Sequence, residues 1–383
     1  MDFLSSIPNI LLGYGPPFLF VLTIVVFFHE LGHFMVGRWC GVGVKTFSVG
    51  FGPEMFGFND RHGTRWRLSW IPLGGYVKFE GDENAASVPD REAEAGMSAD
   101  QRARALQFKP VWQRAAVVAA GPIANFILAI VIFSGMFMFA GRVMVAPLVG
   151  AVQADSPAMA AGILKGDVIL SVEGAKVRSF SDIQRQIMNR AEMPTAIELE
   201  RDGKVSVVSV VPKLFEEKTK VGIQRRGLLG IQADTSPANV VVERFGPVAA
   251  VGEAFRETWF VLARTGEYLG RVIVGRESAD QLGGPIRVAQ ISGEVAGMGI
   301  LALINLTAIL SISIGFLNLL PIPMLDGGHL MFYAAEAVRG RPLPERAQDV
   351  GFRFGLAIVL AMFLFATWND LWHLVDRYLA SRG

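Results

Sequence analysis

The chain has 383 residues, of which 51% are hydrophobic and only 19% are charged, a composition too apolar for an ordinary soluble protein. The formal net charge of +1 provides no basic field, so nothing in the charge supports a nucleic-acid-binding role. A single cysteine, Cys40, excludes a fold held together by internal disulfides.

Four apolar segments are predicted to cross a membrane, because a spanning helix needs about 20 residues. They cover roughly residues 16–37, 115–140, a part of 295–325, and 354–368. Residues 247–275 are also rich in apolar side chains but include six charged ones. We therefore predict that this segment is an amphipathic helix that lies on the membrane or packs against the spans.

The first apolar segment ends in the motif His29-Glu30-Leu31-Gly32-His33. Residues four apart on a helix share a face, so His29 and His33 can bind one metal ion. Glu30 points to a neighbouring side and is better placed to hold a water than to bind the metal. A carboxylate within a membrane helix is costly, which favours a functional interpretation of the motif.

The connection between the first two spans divides into two parts. Apolar residues alternate along residues 42–70, which predicts a β-hairpin, and this hairpin is apolar enough to associate with the membrane beside the motif. Residues 81–105 are polar and rich in charge, and they are predicted to form a surface helix or a loop.

The connection between the second and third spans is long enough for a soluble domain. Residues 155–174 contain the run DSPA, then AG, KGDVI and EG, which resembles the ligand-binding core of bacterial PDZ domains. Residues 227–231 would supply its closing strand. We expect one such domain at about residues 142–235, with a peptide C-terminus as its candidate ligand.

Positive charge predicts the orientation in the membrane. The loops after the first and third spans are rich in Lys and Arg, which favours a cytoplasmic location for both and places the PDZ-like domain outside. The first and third spans then run in the same direction. This common direction brings Asp326, at the end of the third apolar stretch, to the depth of the two histidines.

A catalytic zinc site needs three protein ligands and an open position. His29 and His33 leave one ligand missing, and Asp326 supplies an oxygen at a matching depth. Zinc activates water and polarises a carbonyl, and Glu30 would act as the general base. The sequence therefore predicts peptide-bond hydrolysis with Zn2+ as the cofactor.

Three stretches resemble the site-2 protease family of M50-type intramembrane zinc metalloproteases, and within it the bacterial regulator of sigma-E protease group. They are residues 29–34 (HELGHF), 109–126, and 318–329 (NLLPIPMLDGGH). The resemblance implies that His29, His33 and Asp326 bind zinc and that Glu30 is the general base. It also implies substrate handling by three residues, namely Asn318, Pro321 and Pro323. Many relatives have two PDZ domains, whereas this chain has one candidate.

Simpler interpretations remain for several of these residues. Asn318 could form only a helix–helix hydrogen bond, and Asp326 could cap a helix near the membrane interface. Gly121 and Asn125 are expected to serve packing of the second span, and His329 is not expected to bind the metal.

The predicted fold is a polytopic α-helical membrane protein with four spans, a membrane-associated β-hairpin and one inserted PDZ-like α/β domain. The predicted segments are 1–37, first span with the HELGH motif; 38–113, cytoplasmic hairpin and polar loop; 114–141, second span; 142–235, periplasmic PDZ-like domain; 236–294, amphipathic connector; 295–326, third span with the LDG motif; 327–353, cytoplasmic loop; and 354–383, fourth span and tail.

The predicted function is intramembrane proteolysis in the bacterial inner membrane, with the active site toward the cytoplasm. The resemblance implies a single-span, pre-trimmed membrane protein as substrate, such as an anti-sigma factor or a remnant signal peptide. The alternative is a non-proteolytic protein of the same fold, either a PDZ-bearing scaffold or a metal-handling or transport protein. Glu30 distinguishes the two, since metal binding alone needs no general base.

Overall fold

The computed structural model describes residues 2–82, 96–219, 222–275 and 283–380. These residues form two compact units: a helical unit, drawn from residues 2–134 and 251–380, and a strand-rich unit within residues 135–250. Of the predicted polar stretch 81–105, residues 83–95 lie outside the described part of the chain.

The secondary structure elements are numbered here in chain order. The helices are α1 (Asp2–Trp39), α2 (Ala99–Arg104), α3 (Val111–Phe139), α4 (Pro157–Ala160), α5 (Phe180–Met188), α6 (Pro247–Ile273), α7 (Pro285–Ala296), α8 (Ile300–Asn318), α9 (Asp326–Arg339) and α10 (Glu345–Ala380). The strands are β1 (Val44–Asn59), β2 (Arg65–Phe79), β3 (Arg142–Val145), β4 (Val149–Val152), β5 (Val168–Val172), β6 (Ala175–Lys176), β7 (Thr195–Arg201), β8 (Lys204–Val210), β9 (Lys213–Thr219), β10 (Gly222–Leu228), β11 (Ile231–Ala233) and β12 (Val240–Glu243).

Four helices within the described residues are long and apolar enough to cross a membrane, which confirms the predicted number. The apolar stretches are Gly13–Trp39 in α1, Val111–Phe139 in α3, Ile300–Asn318 in α8 and Arg346–Trp372 in α10. Helix α6 is not among them, and its charged residues account for that.

The third span is shorter than the uncharged stretch that contains it. Gly299 has a φ of 110°, which interrupts the helical path before α8. After α8 the chain contains Pro321 and Pro323, which cannot continue a helix. Asp326 therefore begins a separate helix, α9, instead of ending the third span.

Strands β1 and β2 form a sheet of four paired segments, because both strands bend. Residues 46–49 pair with residues 65–68 on one side, and residues 44–49 pair with residues 75–79 on the other, while residues 54–59 pair with 65–69. The sheet edges are therefore residues 54–59 and 75–79. We call the second of these the inner edge.

Aromatic side chains attach this sheet to α1. Phe47 is 1% exposed and stacks on Trp66 with ring centroids 4.3 Å apart. Phe34 of α1 meets both rings edge-on, at 5.6 Å from Phe47 and 5.0 Å from Trp66. The inner edge is consequently held next to the HELGH motif of the same helix.

Helix α9 is anchored to α3 by an ion pair. The guanidinium of Arg114 donates to both carboxylate oxygens of Glu336, at 3.0 and 2.5 Å, and lies over the ring of Tyr333. Both charged side chains are largely shielded from solvent. The bidentate geometry fixes the direction of α9, and therefore the position of Asp326 at its start.

The strand-rich unit has its own core. Its largest sheet has the order β6-β5-β7-β8, and α5 packs on it through Phe180, Ile183 and Ile187. The carboxylate of Asp167 accepts hydrogen bonds from Arg201 Nε at 2.6 Å and Nη2 at 2.7 Å. Burial alone would raise the pKa of Asp167, but the Arg201 hydrogen bonds outweigh it and lower that pKa below its ordinary value.

Candidate functional site

The HELGH motif lies on α1 where this helix crosses α3 in close contact. A Cβ atom on Gly32 would lie 2.2 Å from the backbone oxygen of Ala120, so only glycine allows this approach. The close crossing places the imidazoles of His29 and His33 directly against α3.

The three predicted ligands meet at this crossing. Nε2 of His29 lies 3.1 Å from Oδ2 of Asp326, and Nε2 of His33 lies 3.6 Å from Oδ1 of Asp326. The two Nε2 atoms are 3.2 Å apart. One ligand atom from each residue lies within 4.8 Å of the others, and this is the group within the described residues that could hold a metal ion.

Helix α3 contacts both histidines from one face. Nδ1 of His33 donates to the backbone oxygen of Val117 at 2.9 Å, which leaves Nε2 free to bind a metal. Between the imidazoles lies Gly121, where a Cβ atom would be 2.3 Å from His33 Nε2 and 2.9 Å from His29 Cε1. Gly121 thus does more than pack the second span, because any larger residue would displace the ligands.

The residues on this face of α3 follow a pattern that is visible in the sequence. Val117, Gly121 and Asn125 follow one another at intervals of four, so they share one side of the helix. A glycine and an asparagine one turn apart within an uncharged span indicate a close crossing with a buried polar contact. The partner helix, however, is not apparent from this spacing.

Glu30 lies beside the three ligands and is held by the inner edge of the sheet. Its carboxylate accepts a hydrogen bond from the backbone N–H of Val77. Gly75 makes room for the same side chain, since a Cβ atom there would lie 3.2 Å from Glu30 Cγ and 2.8 Å from the oxygen of Ser48. The hairpin is therefore part of the site.

A cavity of about 230 Å³ opens in front of these residues. Its wall includes the three ligands, Glu30, Gly75, Tyr76, Asn318, His329 and Tyr333. Asn318, the last residue of α8, thus faces the same space as Glu30. His329 lines the cavity and packs on the ring of Phe352 at 5.4 Å, but it is not in the group of metal-binding atoms.

Pro321 and Pro323 lie in the turn between α8 and α9 and are not among the residues that line the cavity. The backbone of Pro323 touches α10, where a Cβ atom on Gly355 would lie 2.1 Å from the Pro323 oxygen. Next to Pro323, Met324 has a φ of 83°, a left-handed conformation that is rare for a non-glycine residue. This turn directs Asp326 toward the histidines.

The donor set fits a catalytic zinc ion. Two imidazole nitrogens and one carboxylate oxygen are zinc ligands in catalytic centres, where three protein ligands leave one position for water or substrate. The three side chains converge on a largely buried point without any rearrangement of the backbone. The absence of a Cβ atom at Gly121 keeps the space next to Nε2 of His33 and Cε1 of His29 open.

Comparisons with known proteins agree with this geometry. The family model of peptidase family M50 matches residues 17–362. A relative in Rhizobium meliloti is 49% identical over 93% of this chain and 96% of its own length, and one in Agrobacterium fabrum is 48% identical over 98% and 100%. Both have the provisional name zinc metalloprotease. Metalloprotease MmpA of Caulobacter vibrioides is 43% identical over 92% of this chain and 94% of its own length.

Proposed function

This chain belongs to peptidase family M50 and is a multi-pass membrane zinc metalloprotease, and on that basis we propose that it cuts a peptide bond within or near the span of a membrane protein. The observation that carries this proposal is the position of the site. Its histidines and Glu30 lie within the apolar stretch Gly13–Trp39, which supports access to the cavity at the depth of the membrane. The substrate class is a single-span protein already trimmed outside, such as an anti-sigma factor or a remnant signal peptide.

In the proposed centre His29, His33 and Asp326 hold Zn2+ and Glu30 is the general base. When bound, zinc lowers the pKa of water and polarises a carbonyl group. Glu30 takes a proton from the attacking water and delivers it to the departing amine. The Val77 N–H keeps the Glu30 carboxylate beside the ligand group, in reach of a water in the cavity.

The substrate must unwind before it is cut, because a helix hides its carbonyl groups in its own hydrogen bonds. The inner edge of the sheet supplies an extended backbone for the unwound segment at Gly75, next to Glu30, whereas the N–H of Val77 is already bonded to the Glu30 carboxylate. We assign this edge to substrate binding by strand addition. Asn318 faces the same cavity, and Pro321 and Pro323 lie in the turn that leads from α8 to Asp326, which supports their role in substrate handling.

The strand-rich unit is proposed to be a PDZ-like domain on the periplasmic side of the bacterial inner membrane. A groove of about 190 Å³ runs between α5 and residues 226–231. Its apolar wall includes Ile183, Ile187 and Leu229. An apolar wall that faces the backbone of the Gly-Leu-Leu-Gly run fits the C-terminus of an apolar peptide. Trimming of the substrate would leave such an end.

The decisive experiment compares the wild type with Glu30→Gln and His33→Ala, each purified and reconstituted with a single-span reporter. We expect Glu30→Gln to retain zinc and lose cleavage, because only the proton acceptor is changed. His33→Ala should lose zinc and cleavage together. Equal cleavage by the wild type and Glu30→Gln would overturn the assignment of Glu30. Absence of cleavage of the single-span reporter by the zinc-loaded wild type would overturn the proposed substrate class.

A further inference from the structure

We propose that Asn125 is a positioning residue of the zinc centre. With its side-chain amide rotated by a half-turn from the orientation in the structure, the Asn125 oxygen accepts the Nδ1–H of His29, and this hydrogen bond presents Nε2 of His29 to the metal. The inference rests on the proposed ligation of zinc by His29, and it does not depend on which substrate is cut.

The side chain of Asn125 is buried at the crossing of α1 and α3, with an exposed fraction of 0%. Its Nδ2 atom lies 3.3 Å from Nδ1 of His29. Its Oδ1 atom is buried and has no hydrogen-bond partner among the described residues. A buried amide oxygen without a donor is costly, so this atom indicates an interaction that the orientation of the amide leaves unmade.

The chemistry of a zinc-bound imidazole supplies that interaction. An imidazole that binds the metal through Nε2 carries its proton on Nδ1 and must donate it to an acceptor. The amide nitrogen of asparagine cannot accept, but a half-turn of the side-chain amide exchanges its nitrogen and oxygen at the same position. The exchange places Oδ1 opposite His29 Nδ1 and satisfies both groups at once.

The neighbouring histidine has the same arrangement. His33 donates its Nδ1–H to the backbone oxygen of Val117, which lies on the same face of α3, two turns before Asn125. One helix face thus offers an acceptor to each imidazole, with Gly121 between them. If Asn125 served only to pack the two helices, an apolar side chain would suffice at this buried place.

The test measures the affinity for zinc in the purified full chain, by competition with a coloured chelator and without any substrate. Asn125→Leu and Asn125→Ala remove the acceptor, and we expect each to weaken zinc binding by about 10–100-fold. Asn125→Asp keeps an acceptor oxygen and should stay within about threefold of the wild-type affinity. The absorption spectrum of the Co2+-substituted protein should change in the Leu and Ala variants and be retained in the Asp variant.

Two further variants separate the explanations. Ser311 donates to the backbone oxygen of Asn125 at 2.8 Å, so Ser311→Ala disturbs packing at the same place without touching the imidazole, and it should leave zinc affinity unchanged. The inference is overturned if Asn125→Leu and Asn125→Ala bind zinc as the wild type does, or if Asn125→Asp is weakened as much as they are. If His29→Ala binds zinc like the wild type, the ligand assignment itself fails, and this inference fails with it.

Discussion

The histidine pair depends on residues that lack a side chain as much as on residues that have one. Gly32 allows α1 to touch the backbone of α3, and Gly121 leaves the space that both imidazoles fill. A Cβ atom at either glycine would lie too close to an atom of the neighbouring helix for the two helices to keep this approach. At the scale of single residues, the proposed metal centre is therefore defined jointly by its three candidate ligands and by two glycines that are not among them.

Gly121→Ala tests this dependence. The added Cβ atom would lie 2.3 Å from His33 Nε2, so we expect the imidazole to be displaced and zinc binding and cleavage to be lost together. Gly135→Ala is the matched control, because it lies on the same helix and a Cβ atom there meets nothing within 4 Å. Zinc content by atomic emission and cleavage of the reporter are the measurements. Wild-type zinc content in Gly121→Ala would contradict the expectation.

At the scale of secondary structure elements, the sheet formed by β1 and β2 contacts α1 at two places. Phe34 packs on the aromatic face of the sheet, and four residues before it Glu30 accepts a hydrogen bond from Val77 on the inner edge. The sheet thus holds Glu30, the proposed general base, and offers an extended strand beside it.

Disulfide cross-linking can locate the bound substrate on this sheet. In the Cys40→Ser, Glu30→Gln background, a cysteine at Tyr76 on the inner edge is compared with one at Phe56 on the opposite edge. Single cysteines are placed along the span of the reporter. We expect cross-links at Tyr76 with a periodicity of two residues, because alternate side chains of a paired strand share a face.

Non-reducing gel electrophoresis gives the readout of this comparison. Phe56 is 67% exposed, so a lack of cross-links there cannot be attributed to burial. Equal cross-linking at both positions, or a periodicity of three to four residues, would contradict strand addition at the inner edge.

At the scale of the whole molecule, the proposed orientation places the hairpin on the cytoplasmic side and the strand-rich unit on the periplasmic side. The argument is the excess of Lys and Arg in the loops after the first and third spans. The substrate would then be recognised by its trimmed end outside and cut near the cytoplasmic face.

Cysteine labelling tests this orientation in spheroplasts of cells that express the full chain. In a Cys40→Ser background, Lys176→Cys lies on an exposed strand of the strand-rich unit and Arg61→Cys in the exposed hairpin turn. A membrane-impermeant maleimide should label the first in intact spheroplasts and the second only after permeabilisation. The reverse pattern would show that the orientation is wrong.

Much of this protein follows from the sequence alone. Hydropathy over about 20 residues predicts the four spans, and the comparisons and the helices agree with a multi-pass membrane protein of peptidase family M50. The four-residue spacing of His29 and His33 is a property of one helix, so it can be read locally. The depth of Asp326 in the membrane predicts it as the third ligand, and the structure brings it within 3.1 Å of His29.

Only the tertiary structure decided what surrounds these residues. Val117, Gly121 and Asn125 share a face that any helix with that spacing would have, but their contact with the histidines depends on how α3 crosses α1. The hydrogen bond from Val77 to Glu30 and the ion pair between Arg114 and Glu336 likewise join segments distant in the chain. Local patterns specify which face of an element is apolar or polar. The partner of that face is set by packing of the whole chain, where a single methyl group at Gly32 or Gly121 would change the result.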